Sequence, residues 1–329
     1  MGRMSRKGKG SLPILCYRNI SPVCGVSPEE FRAHLGWMRE NGWGTVGLDE
    51  AVGILKEGGE VPEKSVVITF DDCYLDNWVH AAPILRQTGL KAAFGVATAY
   101  LHDGPCRPDA STEGADLRGL PVAREAWERA LERDDPSGFM GRLELGILVQ
   151  EEGHVLFAHT HTHQACFVSD RPVGAFQKGE IHPGVLGIYP ELREGVPLYP
   201  VGSAYAHDGL WPAGNDVLGG KLVARTTAER IEFCLGEFTE CRTRLEAITG
   251  RAPRALAWPW GEWDGVAVET AQLAGFEAGL TMEGGANVPG ETPMFGLRRV
   301  VLRGGTGPKE FGRRLKRAAS PFWARFGRN

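Results

Sequence analysis

The chain of 329 residues has no Cys-x-x-Cys pair, no internal repeat and no low-complexity tract. It also has no apolar run near the roughly 18 residues that a spanning helix needs. Repeat architectures and a helical membrane span are thereby excluded. The seven cysteines are odd in number and scattered, which fits structural thiols kept reduced. Charge of one sign is not in large excess, since the formal net charge is −4. With 24% charged and 42% hydrophobic residues, disordered and fibrous classes drop out. The basic start, Met1 to Gly10, could open a signal peptide, but the apolar run behind it (Leu12 to Cys16) is short and broken by Pro13. A cytoplasmic protein is expected.

What charge there is lies unevenly. Lys309, Arg313, Arg314, Lys316, Arg317, Arg325 and Arg328 crowd the last segment against Glu310 alone, and the first ten residues add more cations. The body between is acidic, which argues against a nucleic-acid partner. Phe311, Phe322, Trp323 and Phe326 stand among the C-terminal cations. Cations mixed with aromatics suit peripheral contact with an anionic membrane surface, so residues 308–329 are expected as a basic-aromatic tail and 1–10 as a basic N-terminal one.

Buried strands of a mostly parallel sheet are expected at Leu12–Tyr17, Ser65–Phe70 and Ala92–Ala97, each a largely apolar run. A helix is expected from Ser27-Pro-Glu-Glu30, where an N-cap, an early proline and early acids precede Phe31, Leu35 and Met38 on one face. Asp49–Lys56 and Asp76–Thr88 read as further helices, the second stopped by Gly89. Later come a long helix at Thr226–Thr249, a strand at Ala255–Trp260 and a helix at Asp264–Ala274. The alternation predicts an α/β barrel or open doubly wound sheet. Residues 165–222 are rich in glycine and proline without a sustained period, and read as an insert.

Two constellations can carry chemistry. Val66 to Phe70 runs into Asp71-Asp72, placing two carboxylates at a strand end, where α/β folds gather their sites. Two acids there repel unless a cation or shared proton intervenes, although a solvated turn or helix cap would use the same residues. The second is His159-Thr-His161-Thr-His163, three of nine histidines within five residues. His159 and His163, four apart, share one side of a helical turn, with His161 directed elsewhere. Two imidazoles and a carboxylate suit a divalent ion of the zinc type.

Together these motifs resemble the polysaccharide deacetylases of the NodB-homology type, in the branch related to exopolysaccharide N-deacetylases. Thr69-Phe-Asp-Asp72 and His159-Thr-x-x-His163 carry the resemblance. Leu12-Pro-Ile-Leu-Cys-Tyr17, the 26–31 helix start, Lys91-Ala-Ala-Phe94, Ala257-Trp-Pro-Trp-Gly261 and Phe295-x-Leu-x-Arg299 extend it over most of the chain. It implies a distorted (β/α) barrel over residues 11–307 and hydrolysis of an acetyl group on a sugar. It also implies one divalent metal, zinc by expectation, on Asp72, His159 and His163. Asp71 is then the general base, Arg299 its orienting partner, and Tyr17, Trp258, Pro259 and Trp260 the substrate wall. Thr160 is expected to brace the histidine segment.

The pattern is broken at three places. A histidine thought to be the catalytic acid is Arg18 here, and no histidine follows His207 to replace it. Arginine cannot give up its proton near neutrality but can stabilise an oxyanion, while His182 and His207 are candidate acids within the insert. Cys73 stands in a glycine position, and Ala257 in an arginine position. Two rivals follow: a metal-retaining carbohydrate-binding pseudoenzyme, and a metal-dependent amidase acting on a small cyclic amide.

Overall fold

A computed structural model describes residues 10–177, 183–189, 192–213 and 221–324. The main sheet takes β1 (Ile14–Tyr17), β2 (Gly44–Thr45), β3 (Ser65–Phe70), β4 (Ala93–Val96) and β5 (Val155–Ala158). A second, antiparallel sheet follows from β6 (Ala165–Phe167), β9 (Val201–Ser203), β10 (Leu210–Pro212) and β11 (Leu222–Ala224), with β7 (Gly174–Ala175) and β8 (Pro197–Leu198) pairing beside it. The main sheet resumes with β12 (Ala255–Ala257), β13 (Ala278–Leu280) and β14 (Val300–Val301). Among the described residues its spatial order is β13-β12-β5-β4-β3-β1-β14, with β2 on β3, and every pair is parallel. The two edges do not pair as strands; Leu280 meets Leu297 in a single bridge. The result is a curled, incompletely closed barrel.

Side-chain alternation along the strands separates two cores. Leu15, Tyr17, Ile68, Phe70 and Phe94 pack outward against the helices. Ile14, Val67, Ala93, Phe157, Ala255, Ala257 and Ala278 fill the inside with Leu48, Ala51, Val52 and Leu55 of α2 (Leu48–Glu57). The small inner residues leave room for the sheet to curl around Phe157. Gly95 shows how tight that is, because a Cβ there would lie 2.5 Å from the Phe157 ring.

The expected strands form, β3 over its whole predicted span and β1 and β4 trimmed at their ends. The helix α1 (Pro28–Glu40) starts on the Ser27–Glu30 capping box. The expected Asp76–Thr88 helix opens on a π turn (Asn77–Ala81) before α3 (Ala82–Thr88), because Pro83 has no N–H with which to close a tighter turn. Two helices without sequence forecast follow, α4 (Ala123–Arg133) and α5 (Arg142–Gln150). Beyond the insert come α6 (Thr227–Thr249) and α7 (Gly265–Leu273).

One expectation needs correction. The segment from 308 is not a free tail: α8 (Pro308–Ala318) buries Phe311, Leu315 and Ala318, with Phe311 stacked on His34 of α1 at 4.5 Å. The packed body therefore continues through Ala318, and Arg325, Phe326 and Arg328 lie outside the described residues. The insert expected at 165–222 folds as an antiparallel sheet with its own core of Phe167, Val185, Val196 and Tyr199.

Candidate metal centre

β1 and β3 run in register to Tyr17–Phe70, so Arg18 and Asp71-Asp72 emerge side by side at one end of the sheet. Asp72 (φ 70°) and Cys73 (φ 60°) are both left-handed and swing the two carboxylates apart. The histidine segment leaves β5 in the same way. It is a turn rather than the helical turn expected, with Thr160 at φ 63° and His163 at φ 51° bringing the two rings to 4.7 Å. Five of the seven non-glycine residues with positive φ among the described residues lie at this site: Asp72, Cys73, Thr160, His163 and Trp260. Each such conformation costs of order 1–3 kcal/mol, and strain of this kind concentrates where geometry serves function.

Asp72, His159 and His163 offer ligand atoms within 4.8 Å of one another, and all three residues are buried. Nε2 of His159 lies 3.1 Å and Nε2 of His163 3.6 Å from Asp72 Oδ1. These contacts are close but not aligned as hydrogen bonds, so Asp72 Oδ1 and both Nε2 atoms are buried without a hydrogen-bond partner. Buried polar atoms left open and converging in this way fit a cation between them. His159 Nδ1 lies 3.0 Å from the Ala257 carbonyl, the outer-shell bond that leaves Nε2 directed at the site. Burial and then the neighbouring His159 push His163 down to about 3, so its ring is neutral, as a ligand must be.

Charge is set by two arginines. Burial alone would raise the pKa of Asp72. The guanidinium of Arg18, 3.3 Å from Oδ2, and the two imidazoles outweigh it and hold the carboxyl well below the usual range. Asp71 points inward, where Arg299 donates to both of its oxygens at 2.7 and 2.8 Å. This pair overcomes the burial that would otherwise raise Asp71, and its pKa is lowered. The Cys16 thiol donates to Asp71 Oδ2 at 3.4 Å. Thr160 Oγ1 accepts from the His163 N–H at 3.1 Å, bracing the turn, and His161 faces away, 2.9 Å from Thr98 Oγ1.

The expected substrate wall is partly elsewhere. Tyr17 is fully buried on the outer face of β1, its hydroxyl 3.1 Å from His34 Nδ1, because alternation after inward Cys16 turns it to the helices. Trp258 follows inward Ala257 and is buried for the same reason, its indole N–H donating to the Phe295 carbonyl at 3.0 Å. Pro259 is buried at the start of a 3-10 turn. Only Trp260, in a left-handed conformation (φ 62°), comes back to the site, its ring 4.6 Å from His163. Trp127 of α4 stands 5.4 Å from the same histidine, and the two indoles line a narrow slot with Tyr100 and Gln164. His207 faces Glu262 at 3.2 Å, and His182 lies outside the described residues.

Residues 58–178, which hold both motifs, match the sequence model of the polysaccharide deacetylases. Over that stretch the chain is similar to the polysaccharide deacetylase family. Over 294 residues, 88% of this chain and 35% of the relative, it is 24% identical to the poly-beta-1,6-N-acetyl-D-glucosamine N-deacetylase of Escherichia coli K12. Bacillus subtilis YxkH is 43% identical over 83 residues. The chain spans about a third of the length of these curated relatives. Among solved structures, a de-N-acetylase from Aggregatibacter actinomycetemcomitans matches with a TM-score of 0.62 at 16% identity, covering 92% of this chain and 99% of that one. IcaB from Ammonifex degensii matches with 0.59 at 18% identity, covering 95% and 99%. These likenesses establish the fold of the chain as the distorted (β/α) barrel expected.

Proposed function

We propose that this protein is a metal-dependent hydrolase that removes an acetyl group, as acetamide rather than ester, from a sugar of a surface polysaccharide or O-antigen under assembly. The observation that carries the reading is the convergence of unpartnered atoms of Asp72, His159 and His163 beside an ionised Asp71 held by Arg299. The two-nitrogen, one-oxygen donor set suits zinc, which supplies Lewis acidity toward a carbonyl oxygen when bound.

The chain's own residues then divide the work. Asp71 takes the proton of the attacking water, and the bidentate grip of Arg299 fixes where its oxygens stand. Arg18 offers fixed positive charge to the oxyanion but no proton. The proton needed by the leaving amine is therefore the one Asp71 has taken. Trp260 and Trp127 present flat apolar area suited to a sugar ring. The substrate named for the E. coli relative makes a β-1,6-linked N-acetylglucosamine oligomer the first to try.

The test is acetate release by the zinc-loaded protein. Asp71→Asn should lose at least about 10²-fold in rate with zinc retained, and Arg18→His should gain activity if the native arginine has displaced an acid. Zinc bound with no acetate from any acetylated sugar would overturn the proposal in favour of a carbohydrate-binding pseudoenzyme. The proposed setting is cytoplasmic, at an anionic membrane surface met through α8, which buries its apolar side and leaves Lys309, Arg313 and Lys316 exposed.

A further inference from the structure

The turn that carries both imidazoles is held from two sides. On one, Tyr100 Oη donates to the Thr162 carbonyl at 2.8 Å, and the Thr98 and Ala99 N–H groups donate to the Thr160 and His161 carbonyls. On the other stand two residues distant in the chain. Glu237 of α6 accepts from the Thr162 N–H at 2.8 Å and from the Tyr205 hydroxyl at 2.6 Å, both on Oε2. Tyr205, fully buried within the insert, accepts in turn from the N–H of Gln164, the residue after His163, at 3.2 Å. Thr160 receives the His163 N–H. A buried chain of hydrogen bonds therefore runs from helix α6 through the insert to the backbone on both sides of His163, a proposed metal ligand. The insert is fixed there by a second tie, since Ser203 N–H donates to Glu262 at 2.7 Å, two residues from Trp260.

We infer that Tyr205 and Glu237 are positioning residues for the histidine turn, through which the insert sets the cation affinity of the site. The inference rests on the metal reading above. Its physical ground is that Thr160 and His163 hold left-handed backbone that neither residue favours, and such conformations persist only when surrounding bonds over-determine them. Freed of the Glu237–Tyr205 bonds, the turn relaxes toward ordinary backbone and the two ring nitrogens separate. Loss of an outer-shell bond to a ligand typically weakens metal binding 10- to 100-fold.

The experiment is zinc titration of the whole protein by calorimetry, with circular dichroism to confirm the fold. Tyr205→Phe removes one oxygen and Glu237→Leu the acceptor, and each should weaken zinc binding about 10- to 100-fold. Glu237→Gln keeps an acceptor oxygen and should restore most of the affinity. The double variant Tyr205→Phe/Glu237→Leu should lose less than the product of the two single losses, since both sit in one network. Folded variants that bind zinc as tightly as wild type overturn the inference, as does a Glu237→Gln no better than Glu237→Leu. Wild type that takes up no zinc, and is indistinguishable from Asp72→Asn, overturns the metal reading itself.

Discussion

Replacing Arg299 by methionine tests the electrostatics of the site most directly. Arg299 and Asp71 are both essentially inaccessible, and the guanidinium also donates through Nε to the Thr281 carbonyl at 2.8 Å. Methionine fills similar volume and leaves Asp71 as a buried carboxylate without its bidentate partner, the Cys16 thiol remaining as a weak donor. Breaking a buried pair by removing one partner costs about 3–5 kcal/mol. The sign of the pH dependence separates this from lost packing. In wild type the folded pKa of Asp71 lies below the unfolded value of about 3.9. The stability it contributes is present above that value and is lost as pH falls through the folded pKa. Without Arg299, burial raises the folded pKa above the unfolded one. Asp71 then favours the folded state below about pH 4 and loses that contribution as pH rises toward the new pKa. At pH 4.5 the gap already holds the wild-type contribution, and it should widen further toward neutrality as the variant loses its own, reaching about 3–5 kcal/mol. Urea unfolding in EDTA from pH 4.5 to 8 measures it. A gap that stays constant over this range would mean that the loss is steric, and the charge argument would be refuted.

Asp72→Asn should weaken zinc binding by more than about 100-fold, beyond the effect of an outer-shell change. Consistently, EDTA should lower the melting temperature of zinc-loaded wild type, where saturation at a thousand times Kd contributes about 4 kcal/mol, and leave the variant unmoved. Gly95→Ala drives a methyl into the Phe157 ring, so it should destabilise by about 1–3 kcal/mol in denaturant titrations; a neutral result would show that the ring can step aside. Reversing Lys309, Arg313 and Lys316 to glutamate together should cut binding to phosphatidylserine vesicles at least 100-fold, at about 1 kcal/mol per cation near the surface. Equal sedimentation with vesicles before and after would dispose of the membrane contact.

The parts of the fold legible in sequence are those with strong local signals. β3 is buried along its whole length and mostly apolar because both faces are covered, and α1 declares itself through the Ser27–Glu30 box and Pro28. Helix α4 buries little beyond Ala126 and Trp127, and draws on i,i+4 pairs such as Arg124–Glu128, so it has no apolar stripe to read. The insert strands are two or three residues long, too short for a period of two to show. In α8 the signal was present but masked. Phe311, Leu315 and Ala318 recur at helical spacing beneath the cations, and the charges that suggest a tail are the outer face of a docked helix.

At the site, residue types were legible and directions were not. Metal chemistry restricts the ligands to carboxylate and imidazole, so His159 and His163 stand out from their spacing, whereas the choice of Asp72 over Asp71 comes from the family resemblance. Alternation along β1 and β12 was enough to send Tyr17 and Trp258 away from the centre, since Cys16 and Ala257 must face inward beside Asp71 and Phe157. What alternation does not foresee is the left-handed break at Trp260, which returns one indole of the three-residue Trp258-Pro-Trp260 run to the site. Arg18 changes meaning in the same way. In sequence it marks a missing acid; in space it is a counter-ion on one oxygen of Asp72 while the other oxygen faces two bare imidazole nitrogens. A permanent cation on that carboxylate lowers the negative charge available to a metal and raises the positive charge available to an oxyanion. On the proposed hydrolase reading, the substitution shifts the site away from proton donation and toward electrostatic stabilisation, with Asp71 left as the group beside the cluster to carry a proton both ways.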